Sequence, residues 1–335
     1  MERSRDQAID ELREMLERSG FYVAVTHGIR PSSFDLAARR DSLFLLVKVL
    51  KNIDAFDADE AERLRRLSEL FPAVGLVVGR TSGASELEPG VVYMRYGIPI
   101  IATETLRDYV EKGLPPFLVS SPGGIYARID GKRLRQLREE RGLSLGALAE
   151  IARVSRRTIQ LYEDGGGAEV DVVERIETWL DEPIVVPFDL FEPPSVESGA
   201  GSGESEPPRD GAGAPRRSEW VSTGDPLRDR VLRQLGGLGL QVVVTTRAPF
   251  DAFSRTPDSD PEILLTGIGT LRAAHHRAPI LQGIARVAEG HAMFVVREDR
   301  TRASLEGLPI LSMGELQRHR DPEALLEILI ERSGA

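Results

Sequence analysis

The sequence predicts a multidomain chain in which two α/β domains flank a small all-α bundle, and three observations carry that prediction. Continuous apolar, β-branched runs alternate with amphipathic helical stretches over residues 1–120, the pattern of a sheet covered on both faces. The same pattern returns over residues 224–335. Between them, residues 132–165 place Leu134, Leu137, Leu148, Ile151, Val154, Ile159 and Tyr162 at three- and four-residue spacings, which predicts short helices that each bury one stripe.

Taken in order, residues 6–19 read as a helix with Ile9, Leu12 and Leu16 on one face, stopped by Gly20. Residues 21–25 form a β-branched and aromatic strand, followed by a turn at 28–31 and a strand at 34–39. A second turn at Arg40-Asp41-Ser42 leads to an apolar strand over 43–50. A helix over 58–70 precedes strands at 73–78, 91–95 and 98–101 and a helix over 103–111. After the central module, 170–180 reads as a helix and 183–191 as one extended segment. Residues 192–223 are rich in Pro, Gly, Ser and Glu without apolar periodicity and read as a flexible linker.

The module at residues 128–190 carries the chemistry. Ser144 and Ser155 each stand where a hydroxyl can cap a following helix, and Gly165-Gly166-Gly167 ends the last. Ala149 is small enough for close packing, so two helices and a tight turn form a helix-turn-helix. The element after the turn opens with Ser155-Arg156-Arg157-Thr158, two guanidiniums on an exposed first turn, which suits guanine edges or phosphate in a major groove. Arg138, Gly142, Leu143, Ser144, Leu148, Ala149, Val154, Ser155, Thr158, Ile159, Tyr162, Glu163 and Gly165 fall in one ungapped pattern, and the segment resembles the lambda-repressor/Cro helix-turn-helix family. That resemblance implies that Ser155, Arg156, Arg157, Gln160 and Leu161 face DNA, with Ser144 and Thr158 beside them. It also implies that Arg138 pairs with Glu163 inside the module. Lys132 and Arg133 flank the groove and are expected on phosphate. Two positions depart from the family. Arg153 stands where glycine is usual and needs a left-handed or adjusted backbone at about 1 kcal/mol. Leu145 replaces the glutamine that touches phosphate, so one backbone contact is missing.

The first α/β domain, with Asp35 and Lys48 on adjacent strands, resembles the PD-(D/E)xK nuclease-like fold, in which two acids and a lysine hold a divalent metal and activate water. The position two before Lys48 should be acidic and is Leu46, and Glu11 is a distant substitute, so the set is poor for a hard cation. Lys48 therefore reads as a solvated or partner-binding residue on a degenerate fold without catalysis. A repeat extends the likeness. The stretch GLQVVVTTRAPFDAFSR parallels GFYVAVTHGIRPSSFDLAAR, setting Phe250-Asp251 over Phe34-Asp35 and Arg255 over Arg39. Residues 262–268 then parallel 44–50, with Thr266 over Lys48 and Leu264 over Leu46. Further on, 293–297 parallel 76–80, and 307–311 with a helix at 313–319 parallel 97–101 and its helix. The expected architecture is a duplication: two nuclease-like α/β domains flank a lambda-repressor-type bundle. Asp251 is expected to cap or brace the turn after Phe250.

Composition narrows the function classes. The chain has 335 residues and no cysteine, so disulfides and thiolate metal sites are excluded. Of five histidines only His275-His276 cluster, with no acidic partner at ligand spacing, and neither a metal nor a cofactor is expected. No apolar run of membrane-spanning length occurs, the charged first helix is no signal peptide, and a cytoplasmic protein without membrane contact is expected. The net charge of −10 opposes nucleic acid overall, yet residues 128–157 hold nine basic against four acidic side chains. Together, SFDLAAR, LLVKVLKNID, the 132–165 module and PFDAFSR resemble a family of archaeal HTH-type transcriptional regulators. The resemblance implies transcription control on double-stranded DNA. A single module covers little DNA, so a homodimer is expected. The α/β domains would serve dimerisation, sensing of a small-molecule or protein effector, or extra DNA contact. Two other classes remain open: a structure-selective nuclease or nucleic-acid-processing factor targeted by the module, and a protein-interaction adaptor.

Overall fold

The structure is a computed structural model that describes residues 5–29, 31–121, 123–191, 223–298 and 302–333. The expected linker at 192–223 lies outside the described residues except for Thr223. In chain order the elements are α1 (Arg5–Arg18), β1 (Tyr22–Val25), β2 (Leu36–Arg40), β3 (Leu43–Asn52), α2 (Ala58–Leu70), β4 (Val74–Ser82), β5 (Ser85–Glu86), β6 (Val91–Arg95), β7 (Ile98–Ala102), α3 (Thr103–Lys112), β8 (Leu118–Ser121) and β9 (Gly124–Ala127). Then come α4 (Gly131–Glu140), α5 (Leu145–Ala152), α6 (Arg156–Glu163) and α7 (Val170–Leu180). The last group is α8 (Pro226–Gly237), β10 (Gln241–Val244), β11 (Ala252–Arg255), β12 (Ile263–Gly269), α9 (Leu271–Val287), β13 (His291–Val296), β14 (Ser304–Leu305), β15 (Leu308–Ser312), α10 (Met313–Leu316) and α11 (Pro322–Ser333).

The chain divides into two compact units. One comprises Met1–Lys48, Arg63–Ala73 and Glu204–Ala335, the other Val49–Glu62 and Val74–Gly203. In the first, β1, β2 and β3 form an antiparallel meander with Val25 opposite Leu36 and Leu36 opposite Val47. The apolar stripe of α1 (Ile9, Leu12, Met15, Leu16) is buried on it. Among the C-terminal elements β10, β11 and β12 also form an antiparallel meander, with Val244 opposite Ala252 and Ala252 opposite Thr266. There α9 crosses over to β13, which lies parallel to β12, and β15 lies parallel to β13. Strand β14 closes on β15 in the antiparallel sense.

Within this unit the first meander and the C-terminal elements are packed together. Helix α9 lies on β1 and β2 as well as on its own sheet. It approaches so closely that a side chain at Gly283 would begin 3.3 Å from the Ala24 methyl. Phe71 sits edge-on to Phe44, Phe250 and Phe253, with centroids 5.5, 5.8 and 5.0 Å away. The Ser33 amide donates to the Arg247 carbonyl at 2.7 Å.

The registers correct one alignment. Leu36 faces Val47 and Ala252 faces Thr266, so with Asp35 matched to Asp251 the counterpart of Val47 is Thr266. Lys48 therefore matches Gly267, not Thr266, and Leu46 matches Leu265, not Leu264. Other expectations also shift. Helices α9 and α11 and strands β8 and β9 stand where no element was predicted. The predicted helix at 313–319 stops at Leu316. The predicted extended segment at 183–191 is no strand and makes one isolated bridge, Val185 to Ile129. In α9 the ring of Pro279 removes an amide from the helix interior, and His275-His276 interrupts the apolar stripe, which hides its periodicity.

In the second unit the strands run β4, β7, β6, β8, β9. Val77 on β4 lies parallel to Ile100 on β7, and β6 pairs β7 antiparallel. After β9 the chain enters the bundle α4–α7. Its core is Leu134, Leu137, Leu148, Ile159, Val172 and Ile176 with their neighbours. Bridges from Ala127 to Ala168 and from Ile129 to Val185 pin the bundle to the strand that feeds it.

Candidate nucleic-acid interface

Three of the bundle's four helices, α4, α5 and α6, start where the sequence supplies a side-chain cap. Asp130 Oδ1 accepts from the Arg133 amide at 2.9 Å, and Ser144 Oγ accepts from the Ala147 amide at 3.1 Å. Ser155 Oγ accepts from the Thr158 amide at 3.0 Å and also pairs with the Thr158 hydroxyl at 2.8 Å. Between α5 and α6, Arg153 takes the left-handed conformation (φ 58°, ψ 42°) that its position in the turn requires. Leu148, Ala149, Ile159 and Tyr162 are buried where the two helices meet, and α5 and α6 form a helix-turn-helix.

The ion pair behind this motif is a three-residue network. The Arg138 guanidinium donates to Glu163 through both carboxylate oxygens, Nε to Oε1 at 2.5 Å and Nη2 to Oε2 at 3.1 Å. Arg135, which the sequence reading missed, adds Nε to Oε2 at 3.1 Å and reaches Asp164 at 3.2 Å. The Glu163 side chain is 2 % exposed and that of Arg138 is 11 % exposed. Burial pushes the Glu163 carboxyl up, but the two guanidiniums override it and hold its pKa below the ordinary 4.5. The same carboxylate raises Arg138, against its own burial. Gly131, also missed, opens α4 against the end of α6, where an added Cβ would meet the Tyr162 and Glu163 carbonyl oxygens at 2.5 Å. No periodicity marks either residue.

The outer side of α6 is exposed among the described residues. Arg156, Arg157, Gln160 and Leu161 are exposed, Leu161 to 56 %. Neither Arg156 nor Arg157 takes an ion pair with a described residue. Ser144 and Ser155 are exposed but engaged as caps, and Thr158 is half-buried on Ser155. Lys132 is exposed, whereas Arg133 is half-buried and bridged to Glu182 at 3.3 Å. The sequence-derived set thus falls into an exposed α6 group, two capping hydroxyls with Thr158 on one of them, an exposed Lys132 and a partly committed Arg133.

The nuclease-like positions are closed. The Asp35 side chain is 5 % exposed and takes Arg5 at 2.6 Å. Lys48 is buried, which removes the solvated one of its two expected roles, and its Nζ donates to the Ser32 carbonyl at 2.5 Å while standing 3.9 Å from Asp35. Leu46 is fully buried and Glu11 is exposed. Asp251 likewise takes Arg277 at 2.9 Å, and it accepts from the Ile268 amide at 2.8 Å. It braces β12, not the turn after Phe250. Among the described residues no three His, Asp or Glu side chains gather at a metal-binding distance.

Two capped helices around a tight turn, the second presenting exposed arginines that take no ion pair with a described residue, define a helix-turn-helix protein that also carries a nuclease-like α/β segment. The comparisons agree: the chain matches the PD-(D/E)XK superfamily domain over residues 5–116 and a helix-turn-helix domain over residues 131–178. A relative from Halorubrum lacusprofundi, named "Putative HTH-type transcriptional regulatory protein", is 39% identical over 333 residues, covering 99% of this chain and 98% of its own. Relatives of the same description from Haloarcula marismortui and Pyrococcus furiosus are each 36% identical, the first covering 98% of this chain and 97% of its own, the second 98% of both. The chain belongs to this family of archaeal HTH-type regulatory proteins. No helix among the described residues is long and apolar enough to cross a membrane.

Proposed function

We propose that the protein is a DNA-binding transcriptional regulator that reads double-stranded DNA through α6. The observation that carries this reading is the exposed first turn of α6, where two guanidiniums that take no ion pair with a described residue stand one turn from an exposed Leu161. Arginine forks onto guanine, and an apolar side chain meets the thymine methyl. Ser144, Ser155, Thr158 and Gln160 complete the face, with Lys132 and Arg133 on phosphate. The module takes residues 128–190, between α/β domains at 1–120 and 224–335. We read those two as a duplication, supported by matched details. Thr26 and Thr245 each donate a hydroxyl to the carbonyl just before the aspartate, Phe34 at 3.0 Å and Phe250 at 2.6 Å. A cytoplasmic homodimer on a two-fold site supplies the affinity one module lacks, and the α/β domains serve assembly, effector sensing or extra DNA contact.

Selection of bound duplexes from random DNA, with and without Mg²⁺, tests this. Arg157→Ala should lose about 1–3 kcal/mol of discrimination at one base position, and Lys132→Ala should weaken all sequences alike. An unchanged ratio of selected to random binding in the Arg157 variant would remove it from base reading. The α/β domains are read as non-catalytic, because Leu46 stands where the second acid belongs and Arg5 covers Asp35. No Mg²⁺-dependent cutting of linear, branched or flap DNA is expected. Cutting that disappears in both Asp35→Asn and Lys48→Ala variants would replace this reading with the nuclease.

A further inference from the structure

Arg156 opens α6, and a long side chain there is expected to run out into the groove. Its guanidinium instead lies across the first turn of the neighbouring helix. A Cβ built on Gly146, the second residue of α5, would sit 2.8 Å from Arg156 Nε, 2.9 Å from Nη2 and 3.1 Å from Cζ. The guanidinium therefore fills the space that any side chain at position 146 would occupy. Glycine in a helix is unfavourable relative to alanine, and here its missing side chain is what lets the arginine lie down.

We propose that Arg156 is the DNA-backbone contact of this module and not a base reader, with Gly146 as the notch that aims it. The proposal rests on the DNA reading above and assigns roles within it. In a docked helix-turn-helix the first helix crosses the sugar-phosphate backbone, while the first turn of the second meets base edges. A side chain folded from the second helix onto the first is carried from the bases toward the backbone. Leu145, the residue that opens α5, brings no polar group to that place. The planar fork of arginine fits a phosphate, and the Arg156 guanidinium takes no ion pair with a described residue. Base reading is left to Arg157, Gln160 and Leu161.

The test uses the full chain with Gly146→Ala, Arg156→Ala and the double variant, each titrated with a selected and a random duplex over a range of salt. Arg156→Ala should weaken both duplexes about tenfold, as loss of one charged hydrogen bond does. Its ratio of selected to random binding should stay that of the parent, and its slope of log affinity against log salt should become shallower by about 0.9. Gly146→Ala should move affinity the same way while melting no lower than the parent, and the double variant should bind no worse than Arg156→Ala alone. A changed selected-to-random ratio at an unchanged salt slope in Arg156→Ala would make it a base reader and overturn the assignment. Parental binding by Gly146→Ala would also overturn it. A parent chain that retains no duplex at all overturns the DNA reading itself, a result separate from either of these.

Discussion

Replacing Glu163 by alanine is expected to unfold the helix-turn-helix bundle and abolish DNA binding without removing any DNA contact. The Glu163 carboxylate is buried and is shared by Arg138 and Arg135, so its loss strands the nearly buried Arg138 guanidinium. Breaking a buried pair from one side costs about 3–5 kcal/mol, a large part of what a small domain has. Thermal unfolding of the full chain, followed by helical circular dichroism, should show an early transition in the variant. Changing Arg138 to Met together with Glu163 to Leu should restore much of the fold, because Arg135 is half exposed and can turn to water. A variant that melts like its parent would show the network to be without consequence. Acid should act on the same group. Its folded pKa is depressed, so its stabilisation is complete above the ordinary 4.5 and is lost as pH falls through the lowered value. In Glu163→Gln this acid-sensitive component should be absent.

The second large effect concerns Phe71. Its ring meets Phe44, Phe250 and Phe253 edge-on within one packed unit. Phe71→Ala empties that junction, at about 3–5 kcal/mol for a buried aromatic. Denaturant unfolding should show a reduced midpoint. If the C-terminal elements fold independently of the first meander, the midpoint will instead change by the small amount typical of a surface site.

How much of this was legible in the sequence depends on the range of the interactions. The helix-turn-helix was readable because its determinants are local: Ser144 and Ser155 as caps, Arg153 in the left-handed turn, and stripes at helical spacing. The Arg138–Glu163 pair was readable only through its place in a family pattern. Arg135 and Gly131 were not, since an arginine or glycine in the first helix of the bundle has many uses and only the third helix decides among them. The strand register was misread by one because β3 and β12 are buried on both faces, so no alternation sets their phase. Matching the polar Thr266 to the polar Lys48 was then a natural error. The Arg156 placement was hidden for a similar reason. It depends on an empty volume beside Gly146, and a sequence does not display empty volumes.

The packing of α9 on β1 has a consequence for biosynthesis. Ala24 and Gly283, which approach there, are separated by most of the chain, and a ribosome adding about 5–20 residues per second needs on the order of tens of seconds to bridge them. Once the first meander has been made, the surface that α9 will cover stays open to water until α9 follows. The bundle α4–α7 is complete long before then, since its helices contact one another over short sequence separations. The nascent chain thus passes through a stage in which the reading head can be complete while the first-made strands still wait for helix α9. It is at this stage, more than in the finished protein, that the apolar face of β1 and β2 is open to chaperones or to a neighbouring nascent copy.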